Sequence, residues 1–301
     1  MNASSGQAIS LEGINQLLAL QGYIADEAVS MSVFLSIRLN KPLLIEGPAG
    51  VGKTEIAKVL AKALGTDLIR LQCYEGLDAA HALYEWNYQR QILHLKMCEQ
   101  EKQTLEEKEM AIFSEAFLMK RPLLQAITHH QAPVLLIDEI DRSDEEFESF
   151  LLEVLSDWQI TIPETGTIKA SHIPRVILTG NRTRDLSEAL RRRCLYLFID
   201  YPDFEKEWTI VKSKVPGIDQ QLAKEICYFM QNLRKLKLEK TPGVSESIDW
   251  AAALAELHIA HLDREIIGKT LGVVVKDWQD TRQVQLALSE LFEKTGVQSK
   301  L

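Results

Sequence analysis

The sequence predicts an α/β protein: a parallel five-stranded sheet between helices, followed by a small all-α domain. Three observations predict it. Short apolar runs alternate with segments of helical periodicity over the first two-thirds of the chain. A glycine-rich loop, Gly47-Pro48-Ala49-Gly50-Val51-Gly52-Lys53-Thr54, joins the first apolar run to a helical pattern. From about Phe204 onward no clear strand recurs, and the remaining apolar residues keep helical spacing. The expected domains are residues 1–205 and residues 206–301.

The elements follow in order. Ser10 to about Asn40 reads as helical, ending in "AVSMSVFLSIRLN". "PLLIEG" is a buried parallel strand, because its apolar run is unbroken rather than alternating. In "KTEIAKVLAKALG", Ile56, Val59, Leu60 and Leu64 recur at helical spacing and Gly65 ends the helix. "DLIRLQC" is the second strand. The Glu/Lys-rich stretch that follows, through "MCEQEKQTLEEKEM", is expected to be a solvated helix or excursion outside the core. "APVLLIDEID" is the third strand, "EFESFLLEVLSDW" an amphipathic helix, and "QITIPETGTIKASHIP" a small hairpin turning at "ETG". "RVILTGN" is the fourth strand, "DLSEALRRRC" a short helix, and "LYLFIDYP" the fifth strand, stopped by Pro202. The ends, "MNASSGQ" and "TGVQSKL", are expected to be disordered.

Composition narrows the function. Of 301 residues, 46% are hydrophobic and 26% charged, enough apolar content for two packed cores. The net charge of −9 argues against a protein that lives on nucleic-acid phosphates, which would show a basic face. Cys73, Cys98, Cys194 and Cys227 form no C-x-x-C pair and suggest neither a zinc ribbon nor a disulfide framework. No secretory signal and no apolar run of membrane-spanning length is visible, so a cytoplasmic protein is expected.

The loop fits G-x-x-x-x-G-K-[ST] in full and lies between a strand and a helix, as a phosphate loop must. Its glycines permit backbone angles that let successive amides converge on phosphate oxygens, and the next helix directs its positive end to the same place. Gly47, Pro48, Ala49, Gly50, Val51, Gly52, Lys53, Thr54 and the adjoining Glu55 are therefore the predicted nucleotide-binding residues. Lys53 supplies a cation to the β- and γ-phosphates, and Thr54 offers a hydroxyl to Mg²⁺.

Asp138 ends an apolar strand, at the carboxyl edge where open α/β sheets bind ligands. It is predicted to hold the metal with Thr54. Glu139 is predicted to orient and deprotonate the attacking water; this doubled acid favours hydrolysis. Asp141 reads as a cap for the following helix. Asn181 ends the fourth strand and can reach the attacking water or γ-phosphate; alone it would read equally as a turn residue. Gln72 ends the second strand and offers a hydrogen bond to Glu139 in an inactive state. Arg191, Arg192 and Arg193 are consecutive on a short helix and cannot share a face, so at least one is expected to serve a neighbouring subunit's γ-phosphate.

"GPAGVGKT", "LLIDEID", "ILTGN" and "LRRRC", in this order before a helical domain, resemble the AAA+ ATPases. Within them the chain is most similar to the MoxR branch, and "RLQCYEGLDAAHALYEWNYQRQILHLK" and "TPGVSESIDWAAAL" resemble the accessory ATPases that mature molybdenum–copper carbon monoxide dehydrogenase. The likeness runs from about Leu17 to Leu291. It implies an ATP- and Mg²⁺-dependent ATPase with Lys53, Thr54, Asp138, Glu139 and Asn181 in the family's roles, and a ring, expected to be hexameric. Arg193 matches the family's trans arginine, with Arg192 second. The resemblance further implies a partner with a von Willebrand factor A domain and a metalloenzyme client. The stretch around Leu83 and the hairpin near Thr161 to Ile168 would face the pore or client. One feature departs from the family: Gly243-Val244-Ser245-Glu246-Ser247 carries no arginine where the lid helix usually has one.

The first functional reading is thus a remodelling ATPase that helps mature a metalloenzyme. The alternatives are a nucleic-acid motor or restriction-system NTPase, and a regulatory ATP-binding module without turnover. Glu139 argues against the last. His258 and His261 are three apart in an expected helix, but no cysteine completes a metal site. His129-His130 read as loop residues, and the five tryptophans as core or interface.

Overall fold

The computed structural model describes residues 10–98 and 104–294. The expected disordered ends and the middle of the Glu/Lys-rich stretch lie outside the described residues. The chain divides into two compact units. One contains the first helix, Ala25–Glu46 and Thr54–Phe198; the other contains Gly22–Ile24, Gly47–Lys53 and the chain from Ile199 onward.

Among the described residues the α/β unit has nine strands: β1 (Leu43–Glu46), β2 (Leu68–Gln72), β3 (Tyr84–Trp86), β4 (Leu118–Lys120), β5 (Val134–Asp138), β6 (Gln159–Ile162), β7 (Gly166–Lys169), β8 (Arg175–Gly180) and β9 (Leu195–Phe198). Five form one parallel sheet in the order β2-β5-β8-β1-β9. The three inner strands β1, β5 and β8 are buried almost throughout, as their unbroken apolar runs require. The edge strands β2 and β9 are only half-buried and carry Arg70, Gln72, Tyr196 and Phe198. The register sets Gln72 beside Asp138 and Glu46 beside Gly180, so the carboxyl ends of β2 and β5 lie level, as do those of β1 and β8.

The helical stretch before β1 is two helices, Leu11–Leu20 and Glu27–Leu39, the second ending at Asn40 in the left-handed region (φ +49°). The helix Lys53–Leu64 buries Ile56, Ala57, Val59 and Leu60 and stops at Gly65 (φ +62°). The expected hairpin is present as β6 paired antiparallel to β7. The excursion contains a second small sheet, β3 against β4, with Trp86 buried between Tyr84 and Phe113.

The second unit contains the helices Phe204–Lys214, Gln220–Leu233, Val244–Glu256, Arg264–Val274 and Trp278–Lys294. Asp203, Asp219 and Asp263 cap three of them with side-chain oxygens. The core gathers around Phe229 and Trp250, whose ring centroids are 5.2 Å apart. Trp250 is fully buried, and its indole N–H donates to Thr270 at 2.9 Å. No helix among the described residues is long and apolar enough to cross a membrane.

The two histidines expected on one helix do not share one. Val244–Glu256 ends first, His258 adopts φ +54°, and His261 lies against Glu225 at 3.2 Å. A left-handed turn breaks the spacing that a metal pair on a helix face needs.

Candidate functional site

The acidic strand end is organised by hydroxyls and one arginine. Asp138 is buried at the carboxyl end of β5. Its Oδ1 accepts from Thr54 Oγ1 at 3.0 Å and Thr179 Oγ1 at 2.5 Å. Its Oδ2 accepts from Arg70 at 3.1 Å (Nε) and 2.5 Å (Nη2). Thr54 arrives in the first turn of the helix after the loop, so strand end and helix start meet at one hydrogen bond. A hydroxyl and a carboxylate side by side are hard oxygen donors, the chemistry that suits Mg²⁺ held partly through water.

Glu139 follows with φ +55°, a left-handed conformation unusual for a side-chain-bearing residue. Its N–H donates to Thr179 Oγ1 at 3.1 Å, and its carboxylate pairs with Arg142 at 3.1 Å. Thr179 therefore links the two acids through one hydroxyl. Gln72 accepts from Arg70 at 2.5 Å, whereas Glu139 bonds Arg142; the expected Gln72–Glu139 hydrogen bond is replaced by these two arginine contacts.

Asp141 is not the helix cap. Asp144 caps Glu145–Asp157, accepting from Phe147 N–H at 2.8 Å. Asp141 is buried under the turn after β8, where its Oδ2 accepts from Asn181 N–H (3.0 Å), Thr183 N–H (2.8 Å) and Thr183 Oγ1 (2.7 Å). It thus fixes the backbone that carries Asn181. The reason is register: the turn at Ile140–Arg142 carries Asp141 back toward the end of β8, leaving Asp144 at the helix start. Cys73 lies buried nearby; burial first, then Asp138, Asp141 and Glu139, push its thiol up to about 12, so it stays neutral.

The loop belongs to the helical unit. Gly50 and Gly52 take φ +74° and +92°, and among the described residues no non-neighbouring atom lies within 4 Å of a Cβ built on Gly52. This alternation of left-handed residues is what an amide cradle for phosphate requires. Lys53 is buried, and its Nζ donates to the carbonyls of Gly47 (2.8 Å) and Pro48 (2.6 Å), bringing the cation back over the loop. Glu55 is partly exposed, 3.4 Å from Lys58.

The three consecutive arginines separate cleanly. Arg191 donates to the buried Glu46 at 3.0 Å and lies over the Tyr196 ring. Arg193 donates to Ser156 Oγ at 2.7 Å and to the Ala189 carbonyl. Arg192 pairs with Glu188 on its own helix, its one ion pair among the described residues, and its side chain is 76% exposed. Arg70, Thr179 and Glu46 were missed by sequence reasoning. The available signal was polarity inside core strands: Arg70 in "DLIRLQC", Thr179 before Gly180, and Glu46 before the loop.

A parallel sheet with a glycine-rich loop after one strand and a buried acid at the end of another is the AAA+ P-loop NTPase fold. The chain belongs to the AAA domain family of the dynein-related subfamily, whose model matches residues 42–194. An uncharacterised protein of Staphylococcus epidermidis is 27% identical over 274 residues, covering 89% of this chain and 95% of its own length. Another, of Staphylococcus haemolyticus, is 29% identical over 240 residues, with coverages of 77% and 82%. Among solved structures, a point variant of RuvB from Thermotoga maritima shares the fold, with a TM-score of 0.50 and 18% identity. It covers 95% of this chain and 78% of that one.

Proposed function

We propose that this chain is a magnesium-dependent ATPase of the MoxR type that remodels a client during maturation of a metalloenzyme, of the molybdenum-containing carbon monoxide dehydrogenase kind. The observation that carries the ATPase reading is the 3.0 Å hydrogen bond from Thr54 to Asp138, which joins the helix after the phosphate loop to the acidic strand end. The remodelling role rests on the resemblance of "GPAGVGKT", "LLIDEID" and the two longer stretches.

In this reading Gly47–Thr54 binds the phosphates, and Lys53 turns from its loop carbonyls to the β- and γ-oxygens. Thr54 and Asp138 hold Mg²⁺, which draws charge from the phosphates when bound. Glu139, freed from Arg142, takes the proton of the attacking water. Asn181 orients that water, on a backbone held by Asp141. Subunits assemble in a ring, and an arginine of the 191–193 group stabilises the neighbouring γ-phosphate. A von Willebrand factor A partner couples the ring to its client.

Phosphate release by the purified chain tests the chemistry. It is expected to require Mg²⁺, and Glu139→Gln is expected to bind ATP normally while turning over about 100-fold or more slower. Normal turnover by that variant would remove the base assignment. Hydrolysis stimulated by DNA, with binding that collapses as salt rises, would replace the remodeller with a nucleic-acid motor. For the client, activation of a co-expressed molybdenum dehydrogenase should need the unsubstituted chain and fail with Glu139→Gln.

A further inference from the structure

The absent lid arginine poses a question that the helical unit answers within itself. Gly50, in the middle of the phosphate loop, has its carbonyl covered by the start of the helix Val244–Glu256. Val244 N–H donates to it at 2.9 Å and Ser245 N–H at 3.2 Å. These are two of the donors that a helix leaves unsatisfied in its first turn, and here they are spent on the loop.

The approach is close because both partners are glycines. A Cβ on Gly243 would lie 2.6 Å from the Ala49 carbonyl oxygen and 2.8 Å from Gly50 Cα. A Cβ on Gly50 would lie 2.5 Å from Ser245 Oγ. Gly243 itself is fixed from both ends: its N–H donates to the Glu246 carboxylate at 2.8 Å, and its carbonyl accepts from Arg234 at 3.1 Å.

Arg234 is the centre of the support. Its Nε donates to the Pro242 carbonyl at 2.9 Å, and its Nη2 also donates to Ser247 Oγ at 3.1 Å. The guanidinium grips Glu207 with both arms, at 2.7 and 2.6 Å, and lies 4.9 Å over the Tyr201 ring. Arg234 and Glu207 are 6% and 0% exposed. A guanidinium neutralised and enclosed in this way cannot leave to meet a γ-phosphate.

We propose that Gly243, Val244 and Arg234 are positioning residues for the phosphate loop: the Glu207–Arg234 pair fixes the Pro242-Gly243 backbone, which holds two amides against the Gly50 carbonyl. The helical unit thereby senses the loop through its backbone, where the family's pattern uses a lid arginine. The inference rests on the nucleotide-binding reading above.

Val244→Pro is the discriminating variant. Proline lacks the N–H that Gly50 accepts, is favoured at the first helical position, and requires an extended residue before it. Gly243 already has φ −87° and ψ −168°. The variant therefore keeps the helix, while its ring Cδ replaces the N–H that faces the Gly50 carbonyl, so the contact is both lost and pushed apart. Its affinity for a fluorescent mant-ATP is expected to fall about ten-fold or more, from one lost hydrogen bond together with the displacement of the Gly50 carbonyl by the ring. Gln220→Pro makes the same change at a helix start distant in sequence, and is expected to bind like the unsubstituted chain. Gly243→Ala, which drives a methyl into the loop backbone, is expected to weaken binding about ten-fold or more.

Unchanged affinity in Val244→Pro would overturn the proposal, as would an equal loss in Gln220→Pro. If the unsubstituted chain binds no mant-ATP, the nucleotide reading itself fails and takes this one with it.

Discussion

Two arginine–carboxylate pairs, one in each unit, show how differently the same chemistry can be used. Arg234–Glu207 is closed: 6% and 0% exposed, with further donors from Gln231 and Ser247 on the carboxylate. Arg70–Asp138 is open: the acid is 5% exposed but the arginine is 50% exposed. Water competes with Arg70 for Asp138 and cannot reach Glu207. A closed pair is therefore a fixed part of the architecture, whereas an open one leaves its carboxylate exchangeable with another cation. In the proposed function Asp138 would hold the metal with Thr54, and exchangeability is the property that role needs.

Breaking the closed pair is the most damaging change expected. Arg234→Met should cost about 3–5 kcal/mol, because Glu207 is left charged and buried. Urea unfolding followed by tryptophan fluorescence, with Trp250 in the affected core, checks it. Replacing both partners, Glu207→Leu with Arg234→Met, should recover much of the loss. A double variant as unstable as the single would show that Arg234 acts through its carbonyl contacts rather than through the charge.

Next comes the hydroxyl that bridges the two acids. Thr179→Val keeps the shape but removes the donor to Asp138 and the acceptor for Glu139 N–H. The cost should be about 1–3 kcal/mol, from groups left unpaired in a buried place. Glu139 also loses the contact that holds its left-handed backbone, so turnover should fall more than nucleotide affinity. A variant with lowered affinity and unchanged kcat would reverse that assignment of Thr179.

These contacts mark the limit of what the sequence made legible. The inner strands of the sheet were readable because buried parallel strands are unbroken apolar runs, and "LLIE", "VLLID" and "RVILTG" are such runs, too short for helices and bounded by glycine or acid. The loop was readable because its chemistry needs particular residues at fixed spacing. β3 and β4 were not: three residues each and far apart in sequence, they carry too little alternation to register. Asp141 was misassigned because an acid before a helix reads as a cap, and only the turn of the chain decides between Asp141 and Asp144. Arg70 and Thr179 were missed because a polar residue inside a strand has no visible partner until strand register places one beside it. Arg234 was missed for a different reason: its partners Glu207 and the stretch Pro242 to Ser247 come from two segments separate from its own, and no spacing rule connects them.

Arg70→Ala is the mildest variant and the sharpest on the open pair. Loss of a half-exposed arginine should change stability by about 1 kcal/mol or less. Its effect on the metal should have the opposite sign to damage. Arg70 places two donors on one Asp138 oxygen, so in the proposed function Mg²⁺ would compete with that cation for the carboxylate. Without Arg70, the Mg²⁺ concentration for half-maximal phosphate release should fall, by up to about five-fold if the exposed pair is worth at most about 1 kcal/mol. Gln72 also loses its donor and becomes free to turn toward Glu139, which would slow turnover without changing the metal requirement. Measuring both quantities in one Mg²⁺ titration separates the effects. A midpoint that rises would mean that Arg70 holds Asp138 in its metal-binding position instead of competing for it, and the distinction between open and closed pairs would then rest on exposure alone.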